Sequence, residues 1–228
     1  MEAGARGTFT VGPRVSEWSG AHPALSGTTR AGIVQAERWS RWGGPGTVTG
    51  MNTSSNRASH DGPALLLRLA IGPMLIVHGY NKVFGKGGLT GTTAWFDSLG
   101  LRPAHVHARM AAATEIGAGT LITLGAASPL PSAAAIGLMA TAARTDHKGK
   151  GFFVFKGGWE YTAVVAAVST VIAALGPGRF SVDGLLGRVR SGMKWGWFAA
   201  LVGIGASAGL IAATYRPDEK PADEAISD

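Results

Sequence analysis

The sequence predicts an all-α fold, a polytopic integral membrane helix bundle of four spans with a fifth span near the carboxyl end. Three observations predict it. Charged residues make up only 15% of the 228 residues, against about 25% in soluble domains. The 35 glycines are roughly double the usual share, and transmembrane helices pack through small residues. Finally, apolar segments follow one another in quick succession after residue 60.

Five apolar segments approach the length of a membrane span, which is about 20 residues with a range of roughly 17–25. The last one contains no charged residue and lacks the polar face that a helix of a soluble bundle would show. That absence disfavours a soluble bundle. The predicted helical segments are 63–84, 105–125, 129–144, 160–176 and 195–215.

The flanking segments divide the chain into four parts. Residues 1–60 are rich in Gly, Thr and Ser and contain no long apolar run, so they are predicted to be a disordered amino-terminal tail, and Met51 is an alternative start. Residues 61–187 form the four-helix membrane domain and 188–215 the extra transmembrane helix. Residues 216–228 form a polar tail.

The composition limits which covalent links, metal sites and binding partners are expected. The chain contains no cysteine, which excludes disulfides and thiolate ligands within it. His105 and His107 lie close together but lack a third ligand at metal-site spacing, so no metal site is expected. Lys and Arg give a net charge of +7 and gather between the apolar segments, where they would meet anionic lipid. No basic stripe interleaved with aromatics appears, so nucleic acid is not an expected partner.

Three basic side chains interrupt the first apolar segment. Arg68 and Lys82 fall on one narrow stripe with Leu75, because 7 and 14 residues nearly close whole helical turns. His78 lies one turn before Lys82, on a neighbouring line. This arrangement predicts a helix with one face in the bundle interior. Other interpretations stay open: Lys82 or Arg68 could extend to the headgroups, and His78 could be a neutral histidine bonded across helices.

Glu115 lies near the middle of the second apolar segment, where an unpaired carboxylate is costly. If the first two spans run antiparallel, Glu115 comes level between Arg68 and His78. We therefore expect an ion pair between Glu115 and Arg68, with His78 as a proton-sharing neighbour. The alternative is a purely architectural buried pair.

The loop RTDHKGKGFFVFKGGWE at 144–160 has a basic start and an aromatic middle, which suits a stretch lying along the membrane interface. Its titratable candidates are His147 and Glu160, and the alternative is a loop that only binds headgroups. In the last segment, Ala199-xxx-Gly203 and Gly205-xxx-Gly209 have the spacing that allows close helix contact. The basic loop before that segment favours a cytoplasmic amino end, whereas the basic start of loop 144–160 opposes it.

Several motifs resemble DoxX-type membrane proteins and occur in the order typical of that family. They are LLLRLAIGPMLIVHGYNKVFG, GTTAWFDSLGL, AAATEIGAGTLITLG, GFFVFKGGWEYTAVVAAV and LGPGRFSVDGLLG. The resemblance runs from about Leu65 to Gly187. The family usually has four spans, so the last helix lies outside the part that resembles it.

The resemblance implies a link to membrane redox chemistry, because the family name comes from a subunit of a thiosulfate:quinone oxidoreductase. The expected protein is a multi-pass plasma-membrane subunit that supports a quinone-linked oxidoreductase assembly, rather than a stand-alone enzyme. A quinone is the candidate cofactor, and the candidate partners are membrane lipids and a redox partner protein. The alternatives are a proton or small-solute pathway and a purely structural membrane partner. The residues at matching polar motif positions are Arg68, His78, Lys82, Glu115 and Glu160.

Overall fold

A computed structural model describes residues 53–217, with side chains from His60 onward. These residues form seven α-helices and one 3-10 turn, without a β-strand among them. The predicted tail up to residue 52, the alternative start at Met51 and the polar tail from residue 218 lie outside the described residues. The helices are α1 (Thr53–Phe84), α2 (Gly88–Ser98), α3 (Ala104–Leu124), α4 (Leu130–Thr145), α5 (Glu160–Leu175), α6 (Val182–Leu185) and α7 (Met193–Thr214).

A helix occupies each of the five predicted segments, namely α1, α3, α4, α5 and α7. One boundary differs from the prediction, and two helices, α2 and the four-residue α6, are additional to it. Helix α1 begins at Thr53, inside the segment that the sequence assigned to the tail. Helix α2 forms in a stretch for which no helix was predicted. The 3-10 turn (Val154–Lys156) lies in the loop between α4 and α5.

Small residues set how closely the helices approach. A methyl group added at Gly72 of α1 would lie 2.7 Å from the carbonyl oxygen of Gly119, and one at Gly119 would lie 2.6 Å from that of Gly72. The backbones of α1 and α3 are therefore in direct contact. On α7, a methyl group at Gly203 would lie 2.5 Å from the carbonyl oxygen of Ala133 of α4. The Ala199-xxx-Gly203 spacing thus packs inward, whereas Gly205 faces open space.

The bundle has two ends, which we name by a residue at each. At the Asp61 end, Asp61 near the start of the bundle contacts Arg179 in the loop after α5. At the Leu101 end, Leu101 in the loop after α2 pairs with Tyr215, which follows α7. Helix α1 runs from the Asp61 end to the Leu101 end, and α3 returns. Helices α4 and α7 then run in the direction of α1.

Two helices are long and apolar enough to cross a membrane, His60–Phe84 within α1 and Met193–Thr214, while Glu160–Leu175 is apolar but shorter. Their outer faces carry large apolar side chains: Leu66 is 70% exposed and Leu201 is 71% exposed. Many exposed large apolar side chains are unfavourable in water and suit a lipid environment. The apolar helices therefore indicate a membrane protein.

Candidate functional site

The contact between α1 and α3 determines which polar groups meet. Gly79 lies directly against α3, because a methyl group there would lie 2.9 Å from both Glu115 Cβ and the carbonyl oxygen of Ala112. Glu115 is therefore level with the last two turns of α1. The sequence-based register placed Glu115 about two turns nearer the start of α1.

Lys82 is the partner of Glu115. The Lys82 ammonium donates a hydrogen bond to Glu115 Oε1 at 2.9 Å and lies 2.7 Å from Oε2. The Glu115 side chain is 6% exposed and that of Lys82 16%. The predicted Glu115–Arg68 ion pair is wrong, and so is the interpretation in which Lys82 extends to the headgroups. The physical reason is the close contact at Gly72 and Gly79, which sets the register of the two helices.

Glu115 Oε2 is buried and accepts no hydrogen bond of good geometry, although it lies within ion-pair distance of Lys82. A buried carboxylate oxygen normally has a hydrogen-bond donor. Lys82 therefore compensates the charge of this oxygen, which still has the capacity to accept a hydrogen bond.

Arg68 binds backbone carbonyl groups at the Asp61 end. Its guanidinium donates to the carbonyl oxygens of Ile122 (2.9 Å) and Thr123 (2.8 Å) at the end of α3. It also donates to those of Pro177 (2.5 Å) and Phe180 (3.0 Å) in the loop after α5. Four carbonyl oxygens around one buried guanidinium make Arg68 a cross-link between helix ends.

His78 and Tyr161 lie beside the ion pair. Their ring centroids are 5.5 Å apart, so an imidazole from α1 meets a phenol from α5. Leu75 is fully buried and Arg68 is 3% exposed, which confirms that the predicted stripe of α1 faces the interior. The residues of the site therefore come from three helices: His78 and Lys82 from α1, Glu115 from α3 and Tyr161 from α5.

One cavity of about 630 Å³ contains these groups in its wall. This volume lies within the range of roughly 300–1,000 Å³ that is typical of small-molecule sites. The lining residues come from α1, α2, α3, α4, α5 and α7, with those of α2 at the Leu101 end. The titratable lining residues are His78, Lys82, His107, Glu115, Asp146, His147 and Tyr161.

The lining changes character along the cavity. All the titratable groups lie between the middle of the bundle and the Leu101 end. Toward the Asp61 end the lining is apolar and mostly small. Its residues there are Leu130, Ala133, Ala134, Gly137, Leu138, Val202 and Gly203. The cavity is therefore polar toward the Leu101 end and apolar toward the Asp61 end.

Glu160 and the loop 144–160 lie at the Leu101 end, and Glu160 is outside the cavity lining. Glu160 Oε2 accepts a hydrogen bond from the Val154 backbone N–H at 3.1 Å, within its own loop. His147 Nδ1 lies 2.6 Å from the Gly157 carbonyl oxygen, and its ring reaches the cavity. Of the five predicted site residues, the structure brings His78, Lys82 and Glu115 together and leaves Arg68 and Glu160 apart.

His105 and His107 point to different surroundings: His105 is exposed, whereas His107 is buried and its Nε2 lies 3.3 Å from the Arg102 carbonyl oxygen. Within residues 53–217, no three His, Asp or Glu side chains converge as metal ligands.

Sequence reasoning missed two aspartates that hold the loops of the Asp61 end. Asp183 accepts hydrogen bonds from the backbone N–H groups of Ala127 (3.0 Å) and Ser128 (2.8 Å). Asp61 binds Arg179 at 2.7 Å. Asp183 belongs to the GPGRFSVDG motif, which the sequence shows. Its partners are backbone N–H groups 55 and 56 residues earlier in the chain, and backbone groups leave no signal in the sequence.

A comparison with protein-family models matches part of the chain. The family model described as DoxX matches residues 64–148. The matched range begins within α1 and ends in the loop after α4. This range includes Lys82, Glu115 and His78, whereas Tyr161 and α7 lie beyond it. Searches of curated proteins and of solved structures found no match. The chain therefore carries a region similar to the DoxX family at residues 64–148, and its apolar helices point to a membrane protein.

Proposed function

We propose that the cavity binds the headgroup of a quinone, and that the protein is the membrane subunit of a quinone-linked redox assembly. The observation that carries this proposal is the Lys82–Glu115 pair, a buried charge pair in the wall of an otherwise mostly apolar cavity. Apolar cavities with a few convergent polar groups are typical of small-molecule sites.

The polar groups fit both oxidation states of such a headgroup. The oxidised form has carbonyl oxygens that need hydrogen-bond donors, and Lys82, Tyr161 and His78 supply an ammonium, a phenol and an imidazole. The reduced form has hydroxyl groups that need an acceptor. Glu115 Oε2 is ion-paired with Lys82 but can still accept a hydrogen bond from a hydroxyl group. A quinone would supply two-electron, two-proton carrier chemistry here.

The electrons must come from elsewhere. The chain contains no cysteine, so it has no thiol of its own with which to reduce a quinone. A partner protein with metal or thiol redox groups would supply two electrons, and two protons would enter from the water at the Leu101 end. This division supports a non-catalytic subunit rather than a stand-alone enzyme.

The membrane arrangement is part of the proposal. Helices α1, α3, α4, α5 and α7 would all cross a plasma membrane, the first four as the DoxX-like domain (61–187) and α7 as the extra span (188–215). Helices α4 and α5 each have 16 residues, or about 24 Å at 1.5 Å per residue. The basic loops at both ends would contact lipid headgroups.

A quinone titration tests the binding site. The protein is reconstituted in lipid nanodiscs, and quinone binding is followed by quenching of tryptophan fluorescence, since Trp95 lines the cavity. We expect saturable binding that Glu115→Gln weakens by about tenfold or more. Glu160→Gln is the matched control, because that glutamate is also a family motif residue but lies outside the cavity lining. Equal binding by both variants and the wild type would contradict the site.

The same cavity raises the alternative of a proton or small-solute pathway. A pathway through the bundle needs polar groups over its whole length. The lining residues near the Asp61 end, from Leu130 to Leu138, are apolar. The lining therefore favours a binding site that protons reach from one end. Proton flux into liposomes that Glu115→Gln reduces would favour the pathway instead.

A further inference from the structure

The cavity continues beyond the polar groups as a groove, which we call the apolar groove and define by its lining residues: Leu130, Ala133, Ala134, Gly137, Leu138, Val202 and Gly203. From Leu130 to Leu138 it runs about 12 Å along α4, at 1.5 Å per residue. A planar headgroup that contacts Lys82 and Glu115 would leave this length empty. A ligand that fills the cavity must therefore have an apolar extension.

Small residues create the groove. Helix α4 presents two alanines and a glycine to it, and α7 presents Gly203. Where α4 and α7 meet, Gly203 contacts the backbone of Ala133 and Gly137. The backbones touch behind the groove, and no large side chain fills the space in front of them. The alanine-rich sequence of α4 thus has a role besides helix packing.

The groove opens sideways on the outer surface of the bundle. Leu130 is 58% exposed and Val202 is 43% exposed, although both line the cavity. In a bilayer this opening would face acyl chains rather than water. An apolar chain can therefore leave or enter the cavity laterally, without crossing the polar groups.

We infer that the apolar groove binds the isoprenoid tail of the quinone, and that α7, which lies outside the matched DoxX domain, forms one wall of this subsite. The inference rests on the proposed function, because it assigns the tail to the part of the cavity that the headgroup would leave empty. It adds that the ligand is lipid-soluble and long-tailed, and that its tail lies between α4 and α7.

The test compares a benzoquinone carrying two isoprenoid units with the same headgroup lacking a tail, both titrated into nanodiscs. Ala134→Phe fills the groove at an exposed lining position, and Ala208→Phe places the same group on α7 at an exposed position outside the cavity lining. We expect the wild type and Ala208→Phe to favour the tailed quinone by about tenfold or more. Ala134→Phe should remove most of that preference while binding the tail-less headgroup as the wild type does. Detergent melting temperatures check that both variants fold.

The outcomes separate the two proposals. If all three proteins bind the headgroup with the same tail preference, the groove does not hold the tail and the headgroup site stands. If the groove holds a bilayer lipid instead, native mass spectrometry shows a phospholipid on the wild type that Ala134→Phe loses, with unchanged quinone preference. That result also overturns the inference. If neither quinone binds the wild type, the proposed function fails and the tail site fails with it.

Discussion

Lys82 and Glu115 form a buried ion pair, so removing one partner leaves the other charge unpaired in an apolar interior. Breaking such a pair costs about 3–5 kcal/mol, whereas replacing both partners by apolar residues is often close to neutral. We expect Lys82→Leu to lower the melting temperature in detergent clearly, and Lys82→Leu with Glu115→Leu to recover most of it. Thermal unfolding of the two single variants and the double variant measures this coupling. Additive losses would mean that the two side chains do not stabilise each other.

Arg68 should behave differently, because its partners are carbonyl groups. Arg68→Leu removes a donor from four carbonyl oxygens, of which that of Ile122 keeps the Gly125 N–H, and each of the other three costs about 1–3 kcal/mol if it stays buried. Adding Glu115→Leu should not restore stability, and the two losses should add within about 0.5 kcal/mol. Arg68→Lys should rescue little, since an ammonium cannot reach all the carbonyl oxygens that a planar guanidinium bridges. Recovery of stability in the Arg68→Leu, Glu115→Leu double variant would instead show a direct pair.

The residue types of the site could be predicted from the sequence, but the partners could not. Lys82, His78 and Glu115 stood out because polar side chains within apolar helices are costly. Their pairing depends on the register of α1 against α3, which Gly72, Gly79 and Gly119 determine by backbone contact. A glycine-rich sequence offers many such contacts, so the sequence alone does not select one.

At the scale of helices, α7 has one small-residue face against the bundle and another facing away from it. A side chain at Gly203 meets the backbone of α4, whereas Gly205 has nothing within 4 Å. We expect Gly203→Leu to separate α7 from α4 and to lower the melting temperature strongly, because the backbones cannot move apart without losing packing. Gly205→Leu is the matched control and should change it little. Equal effects of the two substitutions would contradict the packing of α7.

Helix α2 shows why one element escaped sequence-based prediction. Its sequence GLTGTTAWFDS contains glycine and threonine, which are weak helix formers. Tertiary contacts favour it: Phe96 is buried, and Thr92 donates a hydrogen bond to the Lys82 carbonyl oxygen at 3.0 Å. The five longer helices were predictable because long apolar runs are strong local signals, whereas α2 depends on contacts with α1 and α3.

At the scale of the whole molecule, the two ends of the bundle should lie on opposite sides of the membrane. Because the chain has no cysteine, single cysteines can report the side of each loop. We expect Ser191→Cys, at the Asp61 end, to react with a membrane-impermeant thiol reagent from one side only. Thr90→Cys and Lys150→Cys, at the Leu101 end, should react only from the other. Labelling of all three from the same side would contradict the proposed five spans.

Photolabelling tests most directly whether the cavity binds a quinone. An azido-quinone is activated on the protein in nanodiscs, and labelled peptides are identified by mass spectrometry. We predict labelling of cavity residues such as Met110, Thr114 and Leu138, which excess unlabelled quinone suppresses and Glu115→Gln reduces. Labelling that spreads over outward-facing residues such as Leu66 and Leu201, and that excess quinone does not suppress, would contradict a quinone site in this cavity.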